Sequence, residues 1–178
     1  QLSDILSPNS LVIVESTIDI CRDYKPDVIV NCSAYTNVEN SEDNKQLCHN
    51  VNVQGLYNLM KYSDINTRII HISSDYVFDG TKAPYYENSL TNPINYYGKT
   101  KLEAENLLIG SNKKYTIIRP NVLFSNKGDN FFTFVYKSLK SNKEINIVND
   151  QISNPTYIPD LTEVIFEIIS LDIDGIYH

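Results

Sequence analysis

Tryptophan is absent from this 178-residue sequence, methionine occurs once, and the three cysteines, Cys21, Cys32 and Cys48, stand far apart. An odd number of cysteines with no Cys-x-x-Cys spacing disfavours both a disulfide framework and a zinc site, and predicts buried thiols. No apolar run reaches the roughly eighteen residues that a membrane-crossing helix needs. Gln1-Leu2-Ser3-Asp4 lacks the basic opening of a secretion signal, so the cytoplasm is the expected location. The sequon Asn31-Cys32-Ser33 is discounted for the same reason, and because it ends an apolar strand pattern. Basic residues do not cluster, and 15 Lys and Arg against 22 Asp and Glu leave a net charge of −7. That balance argues against a nucleic-acid partner and leaves phosphate recognition to backbone amides or single cations. Glycine is scarce as well. None of Gly55, Gly80, Gly98, Gly110, Gly128 and Gly175 falls in the glycine-rich turn that lets a dinucleotide pyrophosphate approach a helix N-terminus.

What is present is an alternation of short β-branched runs and longer helical patterns. Gln1 to Leu6 reads as the tail of a helix, Leu11 to Val14 as a short buried strand, and Ser16 to Tyr24 as a helix ended by Lys25-Pro26. Asp27 to Cys32 reads as a central strand. Glu42 to Tyr62, with Leu47, Val51, Leu56, Leu59 and Met60, reads as a crossover helix. Strands follow at Arg68 to Ser73, Tyr115 to Arg119, Ile145 to Val148 and, as a beginning only, Ile176 to His178. Helices are predicted at Tyr97 to Leu108, with Leu102 and Leu107 inward, at Asp129 to Leu139, and at Pro159 to Ser170. With 42% hydrophobic residues and neither repeat nor low-complexity linker, this is an α/β chain with a doubly wound, mostly parallel sheet. Ligands of such sheets bind past the carboxyl ends of the strands, where Asn31 to Thr36, Ser73 to Tyr76 and Arg119 to Phe124 fall.

The chemistry concentrates between Ile69 and Asn106. On a helix, Tyr97 and Lys101 share a face one turn apart. An ammonium near a phenol lowers its pKa from about 10 and makes it a proton donor or acceptor near neutrality. The Ser74 hydroxyl, at the end of the neighbouring strand, could hydrogen-bond the carbonyl oxygen that the tyrosine protonates. Tyr-x-x-x-Lys alone is a weak signal in a chain with 13 tyrosines. Its surroundings are more specific: Ile70-His71-Ile72-Ser73-Ser74-Asp75-Tyr76-Val77-Phe78-Asp79-Gly80, then Pro84-Tyr85-Tyr86-Glu87, Asn92-Pro93 and Tyr97-Gly98-Lys99-Thr100-Lys101.

This set resembles the extended short-chain dehydrogenase/reductases and, through its Asp-Tyr-Val-Phe-Asp-Gly run, the dTDP-4-dehydrorhamnose reductase family. The resemblance implies a Rossmann-like fold in which residues 1–120 form a partial NAD(P)-binding domain. Residues 121–178 would supply substrate-binding elements interleaved with the last strands, with truncation at both ends. It implies that Tyr97 is the general acid, that Lys101 tunes it and bonds the nicotinamide ribose, and that Ser74 is the family's hydroxyl residue, with Asp75 contacting the sugar. Asn31-Cys32-Ser33-Ala34-Tyr35-Thr36 resembles the family's Asn-Ala-Ala-Ala-x-Thr, so Ala34, Tyr35 and Thr36 would line the cofactor, NADPH or NADH. Gly128-Asp129-Asn130-Phe131 and Asp150-Gln151 to Pro155-Thr156 also match, which puts Asn130 on the nucleotide-sugar side with Val122. Arg119 is retained before the substrate loop. Pro120-Asn121-Val122 departs from the usual Thr-Ser-Trp and removes an aromatic surface from the sugar pocket.

Competing roles for the same residues are structural: a turn cap for Asp75, a core aromatic for Tyr35, a carboxylate partner for Arg119, and a helix N-cap for Asp129-Asn130. The implied activity is reduction of a 4-keto-6-deoxy nucleotide sugar toward dTDP-L-rhamnose. The alternatives are a non-catalytic dinucleotide-binding subunit like that of methionine adenosyltransferase, and a nucleotide-sugar epimerase or dehydratase. A homodimer is possible for the family. Mg2+ has no ligand cluster to hold it, and the expected metal count is none.

Overall fold

The computed structural model describes residues 10–178, with side chains from residue 17 onward. The helix tail expected at Gln1 to Leu6 lies outside the described residues. Helix α1 (Ser10–Tyr24) leads into strand β1 (Val28–Asn31). Helices α2 (Val38–Asp43) and α3 (Lys45–His49), a π-helical turn at Asn50–Gln54 and helix α4 (Gly55–Tyr62) follow. Strand β2 (Arg68–Ile72) runs into a 3₁₀ turn at Asp75–Val77, and helix α5 (Tyr96–Ile109) precedes β3 (Tyr115–Ile118). Then come β4 (Leu123–Phe124), α6 (Phe131–Lys140), β5 (Thr156–Tyr157), α7 (Ile158–Leu171) and β6 (Gly175–Tyr177).

Two compact units result: one runs to Arg119 and regains Asp174–His178, and the other is Pro120–Ile173. The first is built on a parallel sheet in the order β1-β2-β3-β6. Its core is Leu56, Ile69, Ala104, Leu108 and Ile117, against which Met60, Tyr115 and Ile176 pack. Fully burying each leucine or isoleucine of this core is worth about 1.5–3 kcal/mol, which fixes α4 and α5 on the sheet. The second unit pairs β4 with β5 in parallel and carries α6 and α7.

Four expectations are corrected. Leu11 to Val14 is helical, part of α1, because a four-residue apolar run fits a helix as well as a strand. The single helix expected over Glu42 to Tyr62 is interrupted by Asn44 and by the π turn, which places Asn52 inward. Ile145 to Val148 forms no strand, since no ladder partner stands beside it. Cys32 is exposed, past the end of β1, whereas Cys21 and Cys48 are buried.

Helix α5 also turns a different face inward from the one expected. Leu102 and Leu107 are half-buried, and the buried stripe is Tyr97, Gly98, Thr100, Lys101, Ala104, Glu105 and Leu108. That stripe has the 3.6-residue period of an inward face, yet four of its seven members carry polar side chains.

Candidate active site

The Ser73-Ser74 corner leaves β2 with Ser74 extended, and its Oγ accepts from the Tyr76 backbone N–H at 3.2 Å, capping the 3₁₀ turn. The same hydroxyl donates to Asp75 Oδ1 at 3.1 Å. Helix α5 starts on this corner. Asn95 caps it by accepting from Gly98 N–H at 2.7 Å, and the Tyr76 and Tyr97 rings meet edge to face at 5.6 Å. Tyr97 is 8% exposed, and the Ser74 hydroxyl acts on its phenol. Lys101, 1% exposed, reaches across to the last carbonyl of β2, donating to Ile72 O at 2.7 Å.

The electrostatics differ from the expected acidified phenol. Burial raises Tyr97 to about 12, against the opposing pull of the Ser74 hydroxyl, and the negative charge of Asp75 adds to the rise. Lys101 bonds a carbonyl of β2, and burial lowers its own pKa to about 8 despite the supporting charge of Glu105. Tyr97 therefore holds its proton through the neutral range. Asp75 is raised as well, first by burial, with the Ser74 hydrogen bond working the other way.

Beside this corner, at the carboxyl end of β1, the Asn31 side chain accepts from Ser33 N–H and Oγ–H at 3.2 and 2.6 Å. Asn52, from the π turn, accepts from Tyr35 N–H at 2.7 Å and donates to Thr100 Oγ at 2.9 Å. Thr100 in turn donates to the Tyr97 carbonyl at 2.7 Å. The backbone of the Ala34–Thr36 stretch is thus tied to the helix that bears Tyr97. Ala34 and Tyr35 are half-buried and Thr36 is exposed.

The Asp-Tyr-Val-Phe-Asp-Gly run has a structural account. Val77 and Phe78 are buried, Phe78 stacks on Tyr85 with centroids 4.4 Å apart, and the Arg119 guanidinium lies 5.3 Å from the Phe78 ring centroid. The Asp79 carboxylate gathers the loop by accepting from Tyr85 Oη at 2.6 Å, Thr81 N–H at 3.0 Å and Asn92 Nδ2 at 3.0 Å. These bonds hold its pKa well below the usual carboxylate range. Gly80 follows with φ of 77°, a conformation that favours glycine. Arg119 takes the structural role. It pairs in a fork with the fully buried Glu105, 2.6 Å from Nη2 to Oε2, while Glu105 also accepts from Ser73 and Arg119 donates to the Glu87 carbonyl.

Ser74, Asp75, Tyr97 and Lys101 therefore converge past the end of β2, and Ala34, Tyr35 and Thr36 follow β1, its neighbour in the sheet. Val122 and Asn130 belong to the second unit. Val122 is exposed, and its carbonyl accepts from Thr156 N–H at 2.8 Å. Asn130 caps α6: Oδ1 accepts from Thr133 N–H, and Nδ2 donates to the Ser125 and Lys127 carbonyls. Sequence reasoning missed Asn52, Glu105 and Gly98. The usable signal for the first two was a polar residue at an inward position of an otherwise apolar helical stripe. Among the described residues no three His, Cys, Asp or Glu side chains group as a metal site would.

A parallel α/β sheet with helices packed on it is the Rossmann-like architecture of the short-chain dehydrogenases/reductases, and the chain shares it with solved reductases and epimerases of that kind. Within that class the chain belongs to the RmlD substrate binding domain family, whose profile matches residues 9–178. It is similar to the dTDP-4-dehydrorhamnose reductase of Sinorhizobium fredii, 35% identical over 96% of this chain and 61% of the relative. It is also similar to methionine adenosyltransferase 2 subunit beta of Xenopus tropicalis, 34% identical over 89% of this chain and 51% of the relative. A crystal structure of dTDP-4-dehydrorhamnose reductase from Bacillus anthracis in complex with NADP superposes with a TM-score of 0.87. It is 32% identical and covers 93% of this chain and 59% of that one. The chain thus spans about six-tenths of the length of the curated reductases it matches.

Proposed function

We propose that this chain carries the catalytic corner of an NAD(P)H-dependent reductase of a 4-keto-6-deoxy nucleotide sugar, of the dTDP-4-dehydrorhamnose type, in dTDP-L-rhamnose synthesis. The observation that carries the reading is the convergence past the end of β2: the buried Tyr97 phenol beside the strand-end hydroxyl of Ser74, with the buried Lys101 ammonium on the last carbonyl of that strand. Reduction of a ketone to an alcohol needs a proton donor of this kind at the oxygen. Tyr97 gives its proton to the C4 oxygen, and Ser74 donates a hydrogen bond to the same oxygen. Lys101 supplies positive charge behind the phenol as it ionises. Asp75 takes a sugar hydroxyl. Val122 and Asn130 belong to the nucleotide-sugar side, Val122 through its exposed side chain and Asn130 by shaping the loop that it caps.

The residues present fit a nicotinamide dinucleotide. Helix α5 lies so close to the corner that a side chain at Gly98 would strike backbone, which leaves Tyr97 and Lys101 packed tightly against the strand end beside the Ala34–Thr36 loop. Tyr97, Lys101 and Ala34 to Thr36 would hold the nicotinamide and its ribose. When bound, the nicotinamide supplies hydride to C4. The cytoplasm is the proposed location, in keeping with the finding that no described helix is long and apolar enough to cross a membrane.

The test follows the decay of NADPH absorbance on addition of a dTDP-4-keto-6-deoxy sugar, for the protein and for Tyr97→Phe. Oxidation that falls about 10²–10⁴-fold in the variant, as expected for a lost general acid, supports the reading. Nucleotide binding without oxidation in the unaltered protein overturns it in favour of a regulatory dinucleotide-binding role, as in the adenosyltransferase subunit.

A further inference from the structure

His71 lies in β2, fully buried, and the chemistry proposed above gives it no part. Its Nδ1 is 3.1 Å from the Asn31 Nδ2 atom on the adjacent strand. The orientation of that amide is decided on its other side. A backbone N–H can only donate, and Ser33 N–H meets Asn31 Oδ1 at 3.2 Å, with the Ser33 hydroxyl on the same oxygen at 2.6 Å. The oxygen is committed to Ser33, so the NH₂ group faces the imidazole and Nδ1 is the acceptor. The ring proton then resides on Nε2, which is buried and has no hydrogen-bond partner among the described residues. Leaving a buried donor unpaired is unfavourable. The tautomer is therefore held from the Asn31 side alone.

The surroundings of the ring keep it neutral. Asn31 faces it from β1, Ile117 is its register neighbour on β3, and the Lys101 ammonium acts on it from α5. Burial first, and Lys101 second, push its pKa well below the ordinary value. A proton on Nδ1 would set two donors against each other and turn the Asn31 amide away from Ser33. The loop beyond β1 is thus held at two points: Tyr35 by Asn52, and Ser33 by the His71–Asn31 pair.

We infer that His71, as the neutral Nε2–H tautomer, is a positioning residue: through Asn31 it fixes Ser33 and so presents Ala34, Tyr35 and Thr36 to the nicotinamide dinucleotide. The part of this that concerns the dinucleotide rests on the reductase reading. The part that concerns the loop does not.

The experiment compares the protein with His71→Leu, which deletes the acceptor, and His71→Asn, which restores an acceptor oxygen near the place of Nδ1. Imidazole ¹⁵N shifts report the tautomer, hydrogen exchange reports the Ser33 amide, and steady-state kinetics separate KM for NADPH from kcat. The expected results are an Nε2–H ring in the unaltered protein, and Ser33 exchange and NADPH KM each raised about tenfold in His71→Leu. In that variant kcat should stay within about twofold, because the proton donor and its partners are untouched. His71→Asn should recover most of the loss. Should His71→Leu fail to fold, Asn31→Asp serves: it still accepts from Ser33 but turns an oxygen toward the ring, which should move the proton to Nδ1. A ring protonated on Nδ1 in the unaltered protein, Ser33 exchange unchanged in His71→Leu, or a ring still Nε2–H in Asn31→Asp overturns the inference. A protein that binds no nicotinamide nucleotide overturns the dinucleotide half together with the reductase reading, while tautomer and exchange decide the hold on the loop by themselves.

Discussion

A Cβ placed on Gly98 would stand 2.2 Å from the carbonyl oxygen of Tyr76. The first turn of α5 therefore rests directly on the backbone of the corner, and glycine is required there by contact, since its φ is not in the left-handed region. Gly98→Ala must lift the start of the helix, because the nearest atom is backbone and the next, Pro93 Cβ at 3.0 Å, belongs to a rigid ring. Overpacking of this kind costs about 1–3 kcal/mol. Denaturant unfolding should show that loss, and the rate of the proposed reduction should fall further than stability alone explains, since Tyr97 is displaced from Ser74. Unfolding at the unaltered midpoint would mean that the corner yields freely.

Behind the corner, Glu105 and Arg119 are both inaccessible and form one fork with Ser73 attached. Removing one member of such a pair strands a buried charge, at about 3–5 kcal/mol. Glu105→Leu and Arg119→Met should each lose about that much, and the double variant should lose clearly less than the sum. A double-mutant cycle by urea unfolding measures the coupling. Additive losses would show that the two side chains act independently.

The sheet and the corner were legible because their signals are local. The runs at Asp27–Cys32, Arg68–Ser73 and Tyr115–Arg119 are β-branched and end where chemistry-bearing residues begin, and each is a strand within a residue or two. The illegible parts depend on partners distant in sequence. Leu11 to Val14 could be strand or helix until its neighbours are known, and Ile145 to Val148 has the composition of a strand but no partner beside it. The inward face of α5 was misread because Lys101 and Glu105 look like solvent residues until Ile72 O and Arg119 are placed opposite them. The pKa of Tyr97 was misjudged for a related reason. The Tyr-x-x-x-Lys spacing reports proximity on a helix, but not the burial that outweighs it. Asn130, offered as a substrate contact and as an N-cap, has its amide fully engaged as the cap.

Asp79 organises the loop from Gly80 to Asn92 through a carboxylate held ionised by Tyr85, Asn92 and Thr81. Asp79→Ala removes the acceptor that these donors share. Amide exchange should accelerate at Thr81, whose N–H bonds that carboxylate, with little change at Ile117 in the core. Because the folded-state pKa is depressed, the stabilising bonds are present above the ordinary carboxylate range and are lost only as pH falls through the lower, folded-state value. Protection of the Thr81 amide in the unaltered protein should thus persist at about pH 3, where an ordinary aspartate is mostly protonated. Loss of that protection already at this pH would show that the carboxylate is not held as described.

Lys101 gives the sharpest dependence on pH. Its folded-state pKa is about 8, and an unfolded lysine titrates at about 10.4. Between these values the unfolded chain binds more protons than the folded one, so stability rises with pH across that window; below it the cost of the buried ammonium is present in full. A gap of about 2.4 units corresponds to about 3 kcal/mol. Lys101→Met carries no such charge. Its stability relative to the unaltered protein should be greatest at pH 7, and the advantage should shrink by about 3 kcal/mol by pH 10.5. The opposite shift at Tyr97, which destabilises the fold as pH rises from about 10 toward about 12, is present in both proteins and drops out of the difference. Urea unfolding of the pair at pH 7, 8, 9 and 10 makes the comparison. A difference that stays constant across this range would mean that Lys101 is hydrated in solution and that Ile72 O is not its fixed partner. Loss of the ammonium over the same range should lower kcat/KM of the proposed reduction above about pH 8, because Tyr97 then ionises during proton transfer without a positive charge behind it. In Lys101→Met, kcat/KM should be low at every pH and show no such limb.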